Sequence, residues 1–158
     1  MVWQETLEQL EAGIVRAAYQ NSQGAWLVDD AAREAIFSAF QAGDNVNCDG
    51  IYQGFVDKSN LAARQFTVHD NVRLVPGGSA VRRGAHVANG VIIMPPSYID
   101  IGAYVGTGTV IGNHVLIGAC AQVGESVHLS SAVQLASGLD MSNLCPVVIE
   151  DEAFLGTG

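Results

Sequence analysis

Three arginines that could bind an anion lie close together in an otherwise acidic chain. The 158 residues include 7 Lys and Arg against 16 Asp and Glu, a formal net charge of −9 at pH 7. Arg73, Arg82 and Arg83 are three of those basic residues. A guanidinium holds a carboxylate through two parallel hydrogen bonds, so the group predicts a small anionic substrate. The net acidity argues against nucleic acid or a membrane surface as a partner, because both attract basic surfaces.

The cysteines predict neither a disulfide framework nor a zinc knuckle. Cys48, Cys120 and Cys145 are widely spaced and form no CxxC pair. The first residues, 1–13, carry Glu but no Lys or Arg, which is the wrong charge for a secretory leader. No apolar run reaches the roughly 18 to 20 residues that span a bilayer. We therefore expect a cytoplasmic protein with reduced thiols and no membrane partner.

After Asn71 the chain follows a strict period of six residues. Every sixth position is aliphatic: Val75, Val81, Val87, Ile93, Ile99, Val105, Ile111, Ile117, Val123, Leu129 and Leu135. Two positions earlier in each repeat the residue is small or β-branched: Ser79, Ala85, Val91, Ser97, Ala103, Thr109, Val115, Ala121, Val127 and Val133. A fixed short period marks a solenoid, in which stacked repeats bury a continuous core. The pattern predicts a left-handed parallel β-helix with a triangular coil, both sets of residues pointing inward.

Glycine follows the aliphatic residue in four consecutive repeats, at Gly106, Gly112, Gly118 and Gly124. We expect these glycines to adopt the positive φ that tight turns require. The repeat is interrupted at residues 139–146 and resumes at Ile149 with its phase shifted by two. That shift predicts a loop ejected from one corner of the coil.

The first part of the chain has helical rather than six-residue periodicity. Residues 5–18 place Leu7, Leu10, Ile14 and Ala17 on one face. A second helix is indicated by Asp29 or Asp30 as N-cap, an apolar face of Ala32, Ile36, Phe37 and Phe40, and Gly43 as the stop. A short third helix is possible over 59–65. We therefore predict a mainly β protein: a small α-helical N-terminal domain, 1–70, then a β-helix, 71–158, cut short at its C-terminal end because no capping element follows Leu155.

The histidines are candidates for a general base or for metal ligands. His86, His114 and His128 do not have the spacing that a zinc site on this scaffold would require, so we expect no metal. His114 lies two residues after Gly112 and could act as a base if its ring faces a cleft. The alternative is a solvent-facing turn residue. His128 is as easily structural, because it precedes the core residue Leu129.

Several motifs go beyond the general repeat and resemble the tetrahydrodipicolinate N-succinyltransferases, a family of hexapeptide-repeat transferases. The strongest matches are residues 94–105, Met-Pro-Pro-Ser-Tyr-Ile-Asp-Ile-Gly-Ala-Tyr-Val, together with 118–124, 127–130 and 149–151. Weaker matches lie upstream at 32–35, 72–76 and 80–85. The resemblance covers most of the chain.

The resemblance implies a reaction and a site. It implies transfer of succinyl from succinyl-CoA, or another acyl-CoA, to an acyclic form of tetrahydrodipicolinate in lysine and diaminopimelate biosynthesis. It implies no tightly bound cofactor and a homotrimer with active sites in clefts between neighbouring β-helices. Arg73 matches the family arginine that binds the dicarboxylate substrate. The family carries a substrate-binding or catalytic Asp where this sequence has Gly112, so His114 is the remaining candidate base.

Two functional hypotheses follow. The first is a CoA-dependent N-acyltransferase acting on tetrahydrodipicolinate or a related amino dicarboxylate, with Arg73 holding a substrate carboxylate. The second is a non-catalytic trimeric β-helix module, a degenerate or truncated relative that keeps the fold without the chemistry. Gly112 and the uncapped end favour the second hypothesis, whereas Arg73 and the surrounding motifs favour the first.

Overall fold

The computed structural model describes residues 2–137, 139 and 146–158. Its helices are α1 (Trp3–Glu11) and α2 (Asp30–Ala42). Its strands are β1 (Ala18–Gln20), β2 (Trp26–Val28), β3 (Asn45–Asn47), β4 (Val56–Lys58), β5 (Arg73–Leu74), β6 (Ala80–Val81), β7 (His86–Val87), β8 (Ile92–Ile93), β9 (Tyr98–Ile99), β10 (Tyr104–Val105), β11 (Val110–Ile111), β12 (Leu116–Ile117), β13 (Gln122–Val123), β14 (His128–Leu129), β15 (Gln134–Leu135), β16 (Val148–Ile149) and β17 (Phe154–Leu155). Short 3-10 turns cover Gly50–Tyr52 and Val68–Asp70.

The two-residue strands from β5 onward stack into three parallel sheets, which are the three sides of a solenoid. Side 1 has the order β7, β10, β13, β16; side 2 has β5, β8, β11, β14, β17; side 3 has β6, β9, β12, β15. Each strand pairs with the strand three places along the chain, for example Val105 with Val123. Three six-residue repeats therefore make one coil. The prediction of a mainly β, parallel β-helix with a helical N-terminal segment is confirmed.

The solenoid core consists of the two residue sets that the period identified. The aliphatic residues from Val81 to Leu135 are all buried, and those from Ile93 to Leu129 are completely so. The small or β-branched set from Ser79 to Val133 is buried as well. Two of its polar members satisfy their hydroxyls on neighbouring coils: Ser97 Oγ donates to the Gly112 carbonyl at 2.9 Å, and Thr109 Oγ1 donates to that of Gly124 at 2.9 Å. The interior thus remains tightly packed without unpaired hydroxyl groups at these two positions.

The glycines that follow the aliphatic residues have a different role from the one we expected. Gly106, Gly112, Gly118 and Gly124 do not adopt positive φ. They are required for space, because a Cβ at any of them would approach the neighbouring coil too closely; at Gly106 it would lie 2.5 Å from the Gly124 carbonyl. Positive φ occurs instead two positions later in the repeat, at Gly108, His114, Cys120 and Ser126, and at the equivalent positions Gly102 and Ala132. The two requirements fall on different positions of each repeat.

The repeat departs from a regular phase at two places. In the first coil Leu74, and not Val75, pairs with Ile93, so the core position that we assigned to Val75 is wrong by one residue. The extra residue lies near Gly77 and Gly78, both of which adopt positive φ. At the other end Val123 pairs with Ile149 and Leu129 with Leu155, which confirms the phase shift of two. Most of the predicted loop at 139–146 lies outside the described residues.

The N-terminal segment differs from the helix predictions in several details. Helix α1 ends at Glu11, so Ile14 lies in a turn and is 76% exposed, while Ala17 and Ala18 approach or enter strand β1. Helix α2 starts as predicted, with Asp29 Oδ1 accepting from the Ala32 amide at 2.8 Å, and Gly43 is its C-cap. Phe37 is 40% exposed rather than on the buried face.

The predicted third helix does not form. Residues 56–58 are the second strand of the β3–β4 hairpin, and Ala63 makes an isolated antiparallel bridge with Arg82 on the solenoid. Leu61 is completely buried beneath the helices. Contacts with the solenoid therefore outweigh local helix propensity in this segment.

The helices pack on the corner of the solenoid between sides 3 and 1. Leu7, Leu10 and Ile36 share a buried cluster with the corner residues Ile101, Ala119 and Cys120. Gly102, at the same corner, has no room for a Cβ, which would lie 2.9 Å from both Cys120 Sγ and Ile36 Cδ1. No strand residue of side 2 belongs to this cluster among the described residues.

Candidate functional site

Arg73, the predicted substrate-binding residue, lies in the first strand of side 2. Its backbone pairs with Ile92, which pairs with Val110, and Val110 pairs with His128. The outward column of side 2 therefore consists of Arg73, Ile92, Val110, His128 and Phe154, and we call it the side 2 face. The Arg73 side chain is exposed and makes no hydrogen bond or ion pair with the described residues. Its guanidinium is therefore available to an external carboxylate.

Gly112 lies at the lateral edge of side 2, directly after strand β11. It is two strands along the axis from the level of Arg73, roughly 10 Å at ordinary strand spacing. Its amide donates to the Leu129 carbonyl at 2.8 Å. A Cβ at Gly112 would lie 2.8 Å from that oxygen and 2.9 Å from backbone atoms of Ser130 and Ser131. In this backbone a carboxylate at position 112 requires the next coil to shift.

His114 lies at the corner between sides 2 and 3, in the left-handed conformation with φ of 59°. Its amide donates to the Pro96 carbonyl at 2.7 Å, and its own carbonyl accepts from Gln134 Nε2 at 2.9 Å. The side chain is exposed, and no described residue contacts its ring through a hydrogen bond. The backbone is thus fixed by both adjacent coils while the imidazole points away from the packed core. Nothing within the described chain brings His114 into contact with Arg73.

His128 belongs to the side 2 face but has a packing partner. Its ring stacks on Phe154 with centroids 5.1 Å apart and an interplanar angle of 13°. It lies three strands from Arg73, roughly 14 Å along the axis. This stacking gives His128 a structural role, which was one of the two alternatives that the sequence left open.

Arg82 and Arg83, the other two arginines of the predicted group, form hydrogen bonds with residues of this chain. Arg82 Nη2 pairs with Asp57 Oδ1 at 2.6 Å, and its Nη1 donates to Tyr98 Oη at 3.0 Å. Arg83 Nη1 donates to the Asn60 carbonyl at 3.1 Å. Both hold the 43–61 segment against side 3. The arginine group that the sequence predicted therefore separates, and Arg73 is its one member on side 2.

Tyr98 and Tyr104 occupy equivalent outward positions on sides 3 and 1. Tyr98 contacts Arg82, and Tyr104 is stacked against His86 with ring centroids 4.7 Å apart. The other side of this cluster contains Arg16, whose Cζ lies 3.9 Å from the Tyr104 ring centroid. Arg16 was not predicted as a site residue, because the residues that surround it are distant in sequence.

The described parts of the chain contain neither a helix that could cross a membrane nor a cluster of side chains suited to a metal ion. Neither helix there combines the length and hydrophobicity that a bilayer crossing requires. Across residues 2–137, 139 and 146–158, the His, Cys, Asp and Glu side chains form no group of three suited to a metal ion.

The six-residue repeat, the three parallel sheets and the exposed side 2 face define the chain as a hexapeptide-repeat β-solenoid protein. Among known proteins it is similar to 2,3,4,5-tetrahydropyridine-2,6-dicarboxylate N-succinyltransferases. The protein of that name from Neisseria meningitidis serogroup C is 43% identical over 157 residues, which cover 96% of this chain and 56% of the relative. That of Paraburkholderia phytofirmans is 40% identical over 155 residues, 95% of this chain and 55% of the relative. That of Histophilus somni strain 2336 is 38% identical over 103 residues, 63% of this chain and 37% of the relative.

The chain is a homologue of the tetrahydropyridine-dicarboxylate N-succinyltransferases, and the resemblance that its motifs indicated is confirmed. It spans about half the length, or less, of the curated relatives it matches. No family model matches the sequence.

Proposed function

We propose that the chain belongs to a CoA-dependent N-acyltransferase that transfers succinyl from succinyl-CoA to tetrahydrodipicolinate, in lysine and diaminopimelate biosynthesis. The observation that carries this proposal is the match of nearly the whole chain to relatives named for that reaction. Arg73 supports it, because its side chain pairs with none of the described residues and a dicarboxylate acceptor needs a cation at its binding site. A related amino dicarboxylate is the alternative acceptor.

The reaction places three demands on the site. The acceptor amine must lose a proton, its nitrogen must attack the thioester carbonyl, and the C–S bond must break as the N–C amide bond forms. The sulfur leaves as a thiolate that takes up a proton to give free CoA. Enzymes achieve this by holding the two reactants in contact and by placing a base near the ammonium group.

Arg73 takes the role of substrate binding in this proposal. Its guanidinium holds one carboxylate of the acceptor through two parallel hydrogen bonds, which fixes the position of the amine. The neighbouring apolar residues Ile92 and Val110 give that ion pair a drier environment than open water, which strengthens it. A lysine at position 73 keeps the charge but loses the second hydrogen bond.

His114 is the candidate general base, because the position of the family Asp is occupied by Gly112. The imidazole of His114 is exposed, and hydrogen bonds fix the backbone of that residue. To act as a base it needs the acceptor substrate held beside it, at the corner between sides 2 and 3, by groups outside the described residues. In the family arrangement, with sites between neighbouring β-helices of a homotrimer, the neighbouring β-helix would supply those groups. We therefore propose self-association as a homotrimer and a cytoplasmic location, with an acyl-CoA as co-substrate and no tightly bound cofactor.

The proposal is tested by measuring release of free CoA thiol from succinyl-CoA in the presence of tetrahydrodipicolinate. We expect thiol release that depends on the acceptor. Arg73→Lys should raise the KM for the acceptor about 10-fold or more, the equivalent of roughly 1.4 kcal/mol, with a smaller change in the KM for succinyl-CoA. Arg33→Gln, which removes an arginine of helix α2, is the matched control and should leave both constants unchanged.

Thiol release that is independent of acceptor, or an equal effect of Arg73→Lys and Arg33→Gln, would contradict the assignment. Loss of transfer in His114→Gln without a change in acceptor KM would support His114 as the base. The non-catalytic trimeric module is the second candidate function, favoured by the tight contact at Gly112. It predicts a folded trimer that releases no thiol with any acceptor.

A further inference from the structure

Arg16 is held rigidly between the N-terminal hairpin and side 1 of the solenoid. Its guanidinium carbon lies 3.9 Å from the Tyr104 ring centroid and 5.3 Å from that of Trp26. Its Nε donates to Gln122 Oε1 at 2.8 Å. Tyr104 is in turn stacked against His86 on its sheet. An arginine stacked on aromatic rings and fixed through Nε presents its two terminal nitrogens in one direction.

Gln122 is the buried residue that sets this orientation. It is completely buried, although its position in the coil points outward. Its amide nitrogen donates to the Cys120 carbonyl at 3.0 Å and approaches the carbonyls of Ala121 and Gly102. These contacts fix which end of the amide faces Arg16, so that Oε1 can accept from Nε. Both groups are therefore preorganised before any ligand arrives.

The terminal nitrogens of Arg16 have no partner among residues 2–137, 139 and 146–158. No carboxylate in these ranges forms an ion pair with them, and Nε makes the one hydrogen bond of the side chain. Burial lowers the pKa of Arg16, and Tyr104 and Asp151 oppose this effect only in part. A half-buried cation with unused donors favours an anionic group beside it.

Arg16 lines a cavity of about 580 Å³, a size ordinary for small-molecule sites. Its walls are formed by the β1–β2 hairpin, by strand β16 with the two residues after it, and by Gly124. Trp26, Val148 and Ile149 supply its apolar surface, and Glu150 and Asp151 supply two carboxylates. Trp26 Nε1 donates to Glu150 Oε1 at 3.3 Å, and the Glu125 amide donates to Asp151 Oδ1 at 2.8 Å. One oxygen of each carboxylate is fixed by these bonds, and the other can meet a ligand.

We propose that this cavity is a binding site for a free amino acid, a zwitterion with an apolar side chain. Its carboxylate binds the terminal nitrogens of Arg16, and its ammonium group binds Glu150 and Asp151. The side chain packs against Trp26, Val148 and Ile149. The site lies on side 1 and does not depend on the acyltransfer proposed for the side 2 face. A simple anion lacks the ammonium group that the two carboxylates require, and a simple amine lacks the partner for Arg16.

Trp26 provides a direct readout of this site. The chain has 2 tryptophans, so Trp3→Phe leaves Trp26 as the one indole. We expect its fluorescence to change on titration with at least one of the standard amino acids, at concentrations up to about 10 mM, ten times a Kd of roughly 1 mM. For the best ligand, the corresponding amine and the corresponding carboxylic acid should each bind about 10-fold or more weakly, because each lacks one of the two charges.

Variants separate a binding site from a purely structural contact. In the same background, Arg16→Lys should weaken amino acid binding about 10-fold or more, because lysine keeps the charge but loses the paired donors. Glu150→Gln should weaken it without changing the assembly state, and Arg33→Gln should have no effect. Circular dichroism and thermal unfolding verify that each variant is folded.

Several outcomes would overturn the proposal. If no amino acid changes the fluorescence or the melting temperature of the folded chain, Arg16 only ties the hairpin to the solenoid. If the amine or the acid binds as well as the amino acid, the site is not specific for a zwitterion. Equal binding to wild type and Arg16→Lys would place the ligand elsewhere.

Discussion

His86, a single residue of side 1, links the solenoid to helix α1, and we expect it to make stability depend on pH. Its Nδ1–H donates to the Glu11 carbonyl at 2.9 Å, and its ring stacks on Tyr104. Burial lowers the pKa of His86 below its ordinary value of 6.5. The folded state therefore favours the neutral ring. Its contribution to stability is present above the unfolded pKa of about 6.5 and is lost as the pH falls through the lower folded pKa.

The free energy of unfolding, measured with urea, should therefore decrease between about pH 7 and pH 5, and His86→Phe should reduce that decrease. Phenylalanine keeps a stacking ring but cannot be protonated. Loss of the bond to Glu11 should cost the variant about 1 kcal/mol at neutral pH. His69→Gln, at an exposed position, should retain the wild-type pH dependence. An unchanged slope in His86→Phe would show that another group controls the acid sensitivity.

Cys120 is a residue for which burial predicts chemical inertness. Burial raises the pKa of the Cys120 thiol to about 12, with the nearby carboxylate of Asp100 adding to the effect. Because the thiolate is the reactive form, iodoacetamide at about pH 8 should label Cys48, which is partly exposed, well before Cys120. Peptide mass mapping after a timed reaction measures the labelling at each position. Comparable labelling of both cysteines in the folded protein would contradict the packing of this corner.

The sequence period alone did not predict the orientation of the arginines. Arg73 faces outward because the first coil is shifted by one residue, so that Leu74 and not Val75 pairs with Ile93. Arg82 and Arg83 bind the 43–61 segment, a tertiary contact that local spacing does not contain. Arg16 was missed for the same reason, since its buried partner Gln122 is 106 residues away.

At the level of elements, the six-residue repeat restricts the side chain at two separate positions. One position has no space for a Cβ, and the other requires positive φ. Gly112→Ala should destabilise the chain by about 1–3 kcal/mol, because the new Cβ meets backbone atoms of the next coil. Gly112→Asp should cost at least as much, although it restores the carboxylate that the resemblance implies. Urea denaturation measures both changes.

Gly156 provides the matched control, since it follows Leu155 as Gly112 follows Ile111. A Cβ at Gly156 meets no atom within 4 Å, so Gly156→Ala should leave stability nearly unchanged. If the two alanine variants behave alike, crowding between coils is not the reason for glycine at position 112.

The strands were predictable because every repeat needs an aliphatic and a small residue at the same two inward positions. An unusual residue in one repeat therefore does not hide the period. The ends of the pattern were less predictable. Leu74 replaces Val75 in register because an extra residue near Gly77 shifts the first coil, and helix α1 stops at Glu11 where the chain turns back to the solenoid. Residues 59–65 have helix-forming side chains, but contacts made by Leu61 and Ala63 with the rest of the protein determine their conformation.

The whole molecule combines a solenoid whose corner between sides 3 and 1 is covered by the N-terminal helices with an outward side 2 face that they leave uncovered. That division follows from where each group of apolar residues lies. Ile36 and Leu7 pack on the covered corner, whereas Arg73, Ile92 and Val110 form the uncovered face. An open face whose arginine pairs with no residue in the described part of the chain is suited to a second copy of the chain and to an anionic ligand between the two copies.

Isothermal titration with succinyl-CoA tests the proposal that the chain belongs to an acyltransferase that uses an acyl-CoA. The assembly state is determined first by light scattering. We predict a trimer that binds succinyl-CoA with a Kd on the order of micromolar, about −8 kcal/mol. A folded trimer that gives no binding heat with succinyl-CoA or CoA, and is not stabilised thermally by either, would contradict the enzyme assignment and favour the non-catalytic module.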